Sequence, residues 1–162
     1  AEHLEDRTLL SVNAVLQGTE LTLFVDEGDD VTVQNQATNG TVEILVNGSP
    51  GSAIPTIQSS ALTGLSILAS SDDNVIDVSG VTAADFTSLP TTGAINIEGG
   101  DGNDSLTGSF GNDTLLGGAG DDTGIGSFGA DVINGQSGDD LADGGADNDS
   151  LRGGDGDDSA VL

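Results

Sequence analysis

The chain has no cysteine, no lysine, no tryptophan and no tyrosine among its 162 residues. Without cysteine it can form neither a disulfide framework nor a thiolate metal site. Two arginines stand against 28 acidic residues, which gives a formal net charge of −26. Because phosphate groups are bound by clustered lysine and arginine, nucleic acid and anionic membrane surfaces are not expected as partners.

Long apolar runs are also missing, since no stretch approaches the roughly 18 apolar residues of a membrane span. We therefore expect no insertion into a membrane. Acidic chains with few aromatic residues are often disordered. Here, however, 35% of the residues are hydrophobic, and many are valine, isoleucine and leucine in short runs. This pattern favours β-strands around a thin, elongated core that is one side chain deep.

Before residue 99, six short runs mostly alternate apolar and polar residues with the period of a β-strand. They cover residues 21–25, 31–34, 42–46, 65–69, 75–78 and 94–98. Turn-forming clusters separate the runs at intervals of about ten to twelve residues, which would also suit a β-sandwich. We favour a solenoid, because the strands continue without a linker into a repeat region of that kind. The predicted divisions are an N-terminal segment (1–20), a β-helix-like region (21–98) and a repeat region (99–162).

From Gly99 the sequence repeats every nine residues, in seven consecutive units. Every unit begins with glycine and has aspartate at its sixth position, and the fourth residue is glycine except at Asp147. The sixth-position residues are Asp104, Asp113, Asp122, Asp131, Asp140, Asp149 and Asp158. A period of nine fits a coil in which each repeat forms a tight turn and a very short strand. We expect the glycines at the first and fourth positions to provide turn conformations that other residues resist.

Two repeats would close one turn of this coil, so that repeats of the same parity stack about 4.8 Å apart. The eighth residue of each repeat would then point inward. It is large in Leu115, Ile133 and Leu151, and small in Gly124, Ala142 and Ala160. Because alternate repeats lie on opposite sheets, one sheet would project large side chains and the facing sheet small ones, which allows a thin core to pack without voids.

Stacking would also place the sixth-position aspartates in two columns, one along each edge of the coil. One column would contain Asp104, Asp122, Asp140 and Asp158, and the other Asp113, Asp131 and Asp149. Bare carboxylates at this spacing repel, and a hard cation between successive loops would remove the repulsion. Calcium suits this role because it accepts six to eight oxygen ligands in flexible geometry. The columns contain five complete pairs, which predicts about five inter-loop calcium sites, or more if neighbouring molecules complete the ends.

The units GGDGNDSLT, GSFGNDTLL and GGAGDDTGI resemble the RTX nonapeptide G-G-x-G-x-D-x-U-x, in which U is a large apolar residue. This resemblance implies an all-β, right-handed parallel β-solenoid, in which an irregular β-helix continues into a calcium-bound parallel β-roll. It implies that the seven sixth-position aspartates are the carboxylate ligands of calcium. It also implies carbonyl ligands from Gly100, Gly102, Gly118 and Gly120. Asp147 and the small eighth residues depart from the family pattern.

A second resemblance lies at residues 4–11, where the sequence LEDRTLLS is similar to the L-E-x-R-x-L-L motif. That motif is found near the N-terminus of large surface proteins of planctomycetes and related bacteria. The alternative interpretation is an amphipathic N-terminal segment.

Groups suited to catalysis are scarce, because His3 is the only histidine and the chain has no lysine. Aspartate pairs can perform acid–base chemistry, but the aspartate columns are better explained as calcium ligands, so we expect no enzymatic activity. The sequence predicts a secreted calcium-binding structural protein of the bacterial cell surface or extracellular matrix. We also predict that it associates head to tail into filaments. The alternative function is a calcium-dependent folding or stalk module of a larger adhesin, toxin or secreted enzyme.

Overall fold

The computed structural model describes residues 12–26, 29–36, 40–47, 49–50, 58–84, 86–89 and 92–162. The motif at residues 4–11 lies outside these ranges, and so does His3. Within them the chain forms fifteen β-strands and one short 3-10 helix, Ser59–Ala61. No helix in the described ranges has the length and apolar character needed to cross a membrane. The fold is therefore all-β, as predicted.

In chain order the strands are β1 (Val12–Gln17), β2 (Glu20–Val25), β3 (Val31–Gln36), β4 (Thr41–Val46), β5 (Ser49–Pro50), β6 (Gly64–Ala69), β7 (Val75–Gly80), β8 (Thr92–Asp101), β9 (Ser105–Thr107), β10 (Asn112–Ala119), β11 (Thr123–Ile125), β12 (Val132–Ser137), β13 (Leu141–Asp143), β14 (Ser150–Asp155) and β15 (Ser159–Val161). They form two sheets. Sheet A has the order β1-β2-β6-β8-β10-β12-β14, and sheet B has the order β15-β13-β11-β9-β7-β3-β4-β5.

All six strands predicted before residue 99 are confirmed, as β2, β3, β4, β6, β7 and β8. β8 runs across the predicted boundary between residues 98 and 99. This region also contains antiparallel pairs that were not predicted, namely β1 with β2, β3 with β4, and β4 with β5. Only Gly18 and Thr19 separate β1 from β2, and Gly18 has a φ of 69°. A connection this short can join only antiparallel strands, because a parallel crossover needs a dozen residues or more.

From β8 onward, every strand within the two sheets pairs in parallel with a strand two repeats away. Leu115 lies beside Ile133 in sheet A, and Gly124 lies beside Ala142 in sheet B. Each of these pairs is eighteen residues apart. The prediction that two nonapeptides close one turn and that repeats of the same parity stack is therefore confirmed.

The core lies between the two sheets, and the eighth residues of the repeats point into it. Leu106, Leu115, Ile133 and Ala142 are buried, while their chain neighbours are more exposed. A Cβ atom on Gly124 would lie 2.7 Å from Ile133 Cγ2, so a small residue of sheet B faces a large residue of sheet A. From the second repeat onward the predicted division into a large and a small inner face is confirmed, whereas Leu106 of the first repeat places a large buried side chain on sheet B. Before the repeats the core is wider, because it also contains Leu62 from the connection between β5 and β6, and Phe86 and Leu89 from the connection between β7 and β8.

Candidate calcium sites

The predicted carboxylate ligands lie at the turns that connect the two sheets. In one column, each aspartate directly precedes a strand of sheet B: Asp104 before β9, Asp122 before β11, Asp140 before β13 and Asp158 before β15. In the other column, Asp113 lies at the start of β10, Asp131 precedes β12 and Asp149 precedes β14. The structure therefore brings all seven residues into the two predicted columns, at opposite edges of the solenoid.

One carboxylate oxygen of these aspartates is used by the backbone of the preceding turn. The N–H of Asp104 donates to Asp122 Oδ1 at 2.8 Å. The same bond recurs from Asp113 to Asp131 (2.7 Å), from Asp122 to Asp140 (2.8 Å), from Asp131 to Asp149 (2.9 Å) and from Asp140 to Asp158 (3.0 Å). This ladder fixes the side-chain conformation and uses Oδ1, whereas Oδ2 receives no bond from the ladder.

The second carboxylate oxygen has no protein partner in most of these turns. Asp104, Asp122, Asp131 and Asp140 are each at most 4% exposed, and Oδ2 of each accepts no hydrogen bond. A buried polar atom left unpaired costs about 1–3 kcal/mol, and a charged one costs more. Four such atoms in regular register indicate a binding site for a cation.

The first-position glycines provide space beside these oxygens. A Cβ atom on Gly117 would stand 2.3 Å from Asp122 Oδ2 and 2.7 Å from the carbonyl oxygen of Gly135. The equivalent aspartate and carbonyl oxygens lie beside Gly99, Gly108 and Gly126. No first-position glycine has a positive φ, so the expectation that these residues supply turn conformations is wrong. Glycine is needed there because any side chain would fill an oxygen-lined cradle.

The left-handed backbone occurs instead at the second and fourth positions, with φ of 105° at Gly100 and 117° at Gly102. Asp147, the one exception to glycine at the fourth position, keeps this conformation with a φ of 84°. The carbonyl groups point along the solenoid toward the next turn. A Cβ atom on Gly118 would lie 1.8 Å from Gly100 O, and one on Gly120 would lie 2.1 Å from Gly102 O. Carbonyl oxygens of the predicted type therefore line the space between stacked turns.

A family model described as RTX calcium-binding nonapeptide repeat (4 copies) matches residues 96–124 and 125–160. This part of the chain is an RTX calcium-binding nonapeptide repeat region. The RTX repeats bind calcium, which agrees with the cation predicted from the aspartate columns. Neither the curated proteins nor the solved structures include a match to this chain.

The oxygens in the RTX turns fit calcium, which takes carboxylate and carbonyl ligands in a flexible shell. Within the described residues, no group of three or more His, Cys, Asp or Glu side chains is arranged to hold a metal. Carboxylates alone therefore cannot surround an ion in the RTX turns. Backbone carbonyls or water must complete each shell, and the carbonyls at the second and fourth positions are directed toward the next turn.

Burial dominates the electrostatics of the columns. It raises the pKa of Asp113 to about 7 and the pKa of Asp122 and Asp131 to about 6. Burial also raises the pKa of Asp104 and of Asp140. Hydrogen bonds from backbone N–H groups oppose this effect, and the carboxylates of neighbouring turns add to it. Without a cation, burial in the folded turns therefore makes these carboxylates harder to ionise than in water.

The second repeat differs from the others, because Asp113 has no earlier aspartate in its column. Here the N–H of Ser109 donates to Asp113 Oδ2 at 2.6 Å, and Ser109 Oγ contacts both oxygens of the carboxylate. Neither Ser109 nor Gly111 has the positive φ found in most other RTX turns. A serine hydroxyl and a backbone N–H thus take the place of a cation at the start of this column. The predictions did not include this role of Ser109.

A second, outer ladder runs along the exposed face of the turns. Asn103 Oδ1 accepts the N–H of Asp121 at 2.8 Å, and Asp121 Oδ1 accepts the N–H of Asp139 at 2.9 Å. The series continues from Asp139 to Asp157. These fifth-position side chains accept hydrogen bonds from backbone N–H groups of the following turn, whereas the sixth-position aspartates accept them from the preceding turn. Each turn is consequently bonded to both of its neighbours through side chains.

The sequence predicts a turn-forming cluster at residues 70–74, but the prediction did not include that residues 69–74 form one further turn of the column before the RTX repeats. The N–H of Asn74 donates to Asp104 Oδ1 at 2.8 Å, and Asp73 Oδ1 accepts the N–H of Asn103 at 2.7 Å. Asn74 and Asp73 thus occupy the sixth and fifth positions of one further turn in the column. The sequence signal is a run of turn formers (SSDDN) followed by Val75 and Ile76. Its spacing of thirty residues from the first repeat hides it from a search for period nine.

We predict that Gly117→Ala lowers the stability of the RTX repeats at a fixed calcium concentration. The new Cβ would stand 2.3 Å from Asp122 Oδ2, so the turn would have to open, and overpacking of this kind costs about 1–3 kcal/mol. The matched control is Gly64→Ala in β6, where the nearest atom is Glu20 Cγ at 3.3 Å in a flexible side chain. Denaturation at fixed calcium measures both variants. Equal stability of the two would contradict the cradle.

We predict that the calcium-free RTX repeats gain stability as the pH falls. The pKa of Asp113, Asp122 and Asp131 is raised in the folded state. Their contribution to stability is therefore fully present below the unfolded pKa of about 3.9 and is lost as the pH rises through about 6 to 7. Circular dichroism in metal-free buffer should show more β-structure at pH 5 than at pH 8. At millimolar calcium the trend should reverse, because calcium binds the ionised carboxylates. A metal-free signal that increases with pH would contradict this prediction.

Proposed function

We propose that this chain is a secreted structural protein whose RTX repeats fold only when calcium binds. The observation that carries the proposal is the register of four buried Oδ2 atoms, in Asp104, Asp122, Asp131 and Asp140, that accept no hydrogen bond. In each residue Oδ1 accepts a hydrogen bond from a backbone N–H of the preceding turn, which for Asp104 is the N–H of Asn74. A folded, ionised and metal-free repeat region would bury these charges without compensation.

The proposed ligands are those predicted from the sequence. Ions would lie between stacked turns and bind the Oδ2 atoms of the column aspartates, together with second- and fourth-position carbonyls. The proposed set is Asp104, Asp113, Asp122, Asp131, Asp140, Asp149, Asp158, Gly100, Gly102, Gly118 and Gly120. About five ions would complete the pairs of consecutive aspartates. Asp113 binds less strongly in this scheme, because Ser109 already occupies its carboxylate.

Charge and affinity both support folding on calcium. Residues 99–162 contain 14 aspartates and one arginine, and five Ca²⁺ ions would reduce their net charge from −13 to −3. Extracellular calcium sites bind at about 10⁻⁴–10⁻³ M. At a tenfold excess of calcium each site adds about 1.4 kcal/mol, so five sites add about 7 kcal/mol. This is comparable to the net stability of a whole domain.

A structural role explains the perturbed carboxylates better than catalysis does. In many proteins, a strongly raised pKa in a cleft marks an acid–base catalyst. Here the groups with a raised pKa are Asp104, Asp113, Asp122, Asp131 and Asp140. All of them belong to the proposed calcium columns, and the matched family is a calcium-binding repeat. We therefore propose a structural solenoid of the cell surface or extracellular matrix rather than an enzyme.

The second candidate is a calcium-dependent folding or stalk module within a larger adhesin, toxin or secreted enzyme. The two continuous sheets favour this second candidate. As a stalk, a stiff solenoid would hold apart the domains attached to its two ends. The length of the protein in its native source distinguishes the candidates. A product far longer than 162 residues would favour the module, and a product of about this length would favour the independent structural protein.

We predict that residues 99–162 lose their β-structure when calcium is removed. Within the column, Asp122→Asn should remove about 3 kcal/mol of stability at a tenfold excess of calcium, because Asp122 contributes to two proposed sites. The matched variant Asp158→Asn should remove about 1.4 kcal/mol, because the exposed Asp158 is bonded only to the turn of Asp140. Circular dichroism with and without EGTA, calorimetric calcium titration and urea denaturation provide the measurements. Unchanged β-structure in EGTA, or equal losses in the two variants, would refute the stacked sites.

Head-to-tail association stays a prediction from the sequence. Within the described residues, β1 and β5 lie at the outer sides of the two sheets and pair in antiparallel fashion, so they do not repeat the geometry of β14 and β15. Light scattering at high protein concentration tests the prediction. Calcium-dependent fibres that dissolve in EGTA would support it, and a monomer in millimolar calcium would contradict it.

A further inference from the structure

The two parts of the solenoid are stabilised by different means. Of the 21 buried hydrophobic residues among the described ranges, 17 lie before residue 99 and only Leu106, Leu115, Ile133 and Ala142 lie after it. Four of the five aspartates with a buried, unpaired Oδ2 lie in the RTX repeats, and the other is Asp29. The first part can therefore fold on hydrophobic burial, whereas the second needs a cation. The turn at residues 69–74, named here the Asn74 turn, lies where the two parts meet.

The Asn74 turn stacks directly on the first RTX repeat. β7 follows it and pairs with β9, with Val75 beside Ser105 and Ile76 beside Leu106. The carbonyl groups of the turn point at the repeat as they do between RTX turns. A Cβ atom on Gly100 would lie 2.2 Å from Ser70 O, and one on Gly102 would lie 2.4 Å from Asp72 O. Asp72 also has the left-handed conformation of a fourth-position residue, with a φ of 79°.

Two substitutions distinguish the Asn74 turn from the RTX turns. The sixth position is an amide, and Asn74 Nδ2 donates to Asp72 O at 2.7 Å. This hydrogen bond joins the sixth-position side chain to the fourth-position carbonyl. In an RTX turn both of these groups present an oxygen atom, so a cation would be needed between them. The first position is Ala69 instead of glycine, and it packs against the core. All seven RTX repeats have glycine at this position.

We propose that the Asn74 turn is an RTX-like turn that closes without calcium and acts as the template for the first calcium-binding repeat. Asn74 Nδ2 makes the contact that an ion would otherwise make. Asn74 Oδ1 is buried without a hydrogen-bond partner, but as a neutral amide oxygen it needs no cation to balance a charge. The N–H of Asn74, which is 1% exposed, then holds Asp104 Oδ1 at 2.8 Å. Asp104 is thereby ordered before calcium binds, and the RTX repeats fold outward from this end. This inference rests on the proposed calcium-dependent folding of the repeats.

The test compares Asn74→Asp with Asn103→Asp in the full chain. Both variants add one negative charge in adjacent turns. Asn103→Asp keeps the acceptor for the N–H of Asp121, whereas Asn74→Asp loses the buried donor to Asp72 O. We expect Asn74→Asp to raise the calcium concentration at the folding midpoint about 1.4-fold, because the loss of one hydrogen bond, about 1 kcal/mol, is divided over the roughly five ions bound on folding. Asn103→Asp should change it much less. Hydrogen exchange in EGTA should show protection of residues 75–78 in the wild type and its loss in Asn74→Asp.

Because Asn74→Asp could lose stability simply by misfolding, a second variant is designed to gain a calcium site. Ala69→Gly combined with Asn74→Asp restores both RTX features to the turn, and native mass spectrometry should then count one calcium ion more than in the wild type. Three results would overturn the template: no extra ion in the double variant, a lower calcium midpoint in Asn74→Asp, or absent protection of residues 75–78 in wild-type protein whose repeats still respond to calcium. Repeats that fold equally well in EGTA would instead refute the proposed function.

Discussion

Burial of aspartate carboxylates in columns is the constraint on which the rest of the RTX region depends. The parallel register of eighteen residues places each sixth-position aspartate beside the next one of its column. A backbone N–H neutralises part of one oxygen, as between Asp104 and Asp122, and the other oxygen remains buried without a partner. Taking a charge out of water is costly unless it is paired or coordinates a metal. The surrounding residue types follow from that single requirement.

Glycine illustrates how the requirement shapes the sequence. At the first position, Gly117 has an ordinary backbone conformation. Glycine is needed there because a Cβ atom would collide with Asp122 Oδ2. At the second and fourth positions, Gly118 and Gly120 have positive φ and direct carbonyls along the column. One residue type thus serves two physical purposes in a single nonapeptide. The thin core follows as well, because short strands such as β11 and β13 bury only Gly124 and Ala142.

Much of this could be predicted from the sequence, because the period of nine and the fixed Asp position determine the stacking. The two columns, the inward eighth residue and the contrast between Ile133 and Gly124 all follow from period and parity. Other features depend on contacts between residues distant in the sequence. Asn74 is thirty residues from Asp104, so no short repeat reveals that its N–H bonds that carboxylate. The role of Ser109 at Asp113 depends on the register of β8 and β10, which places Ile95 and not an aspartate beside Asp113. The β1–β2 hairpin depends on the two-residue connection at Gly18.

The two side-chain ladders explain why a divalent ion and not salt alone would govern the fold. The outer ladder through Asp121, Asp139 and Asp157 is exposed, so mobile ions screen its repulsion within a distance of about 8–10 Å. The inner column at Asp122 and Asp140 is buried, and ions in solution screen such charges much less. While these carboxylates are ionised, compensation requires a cation bound inside the turn. Raising the ionic strength would therefore relieve the outer repulsion and leave the inner requirement intact, which separates a calcium-specific fold from a general polyanion effect.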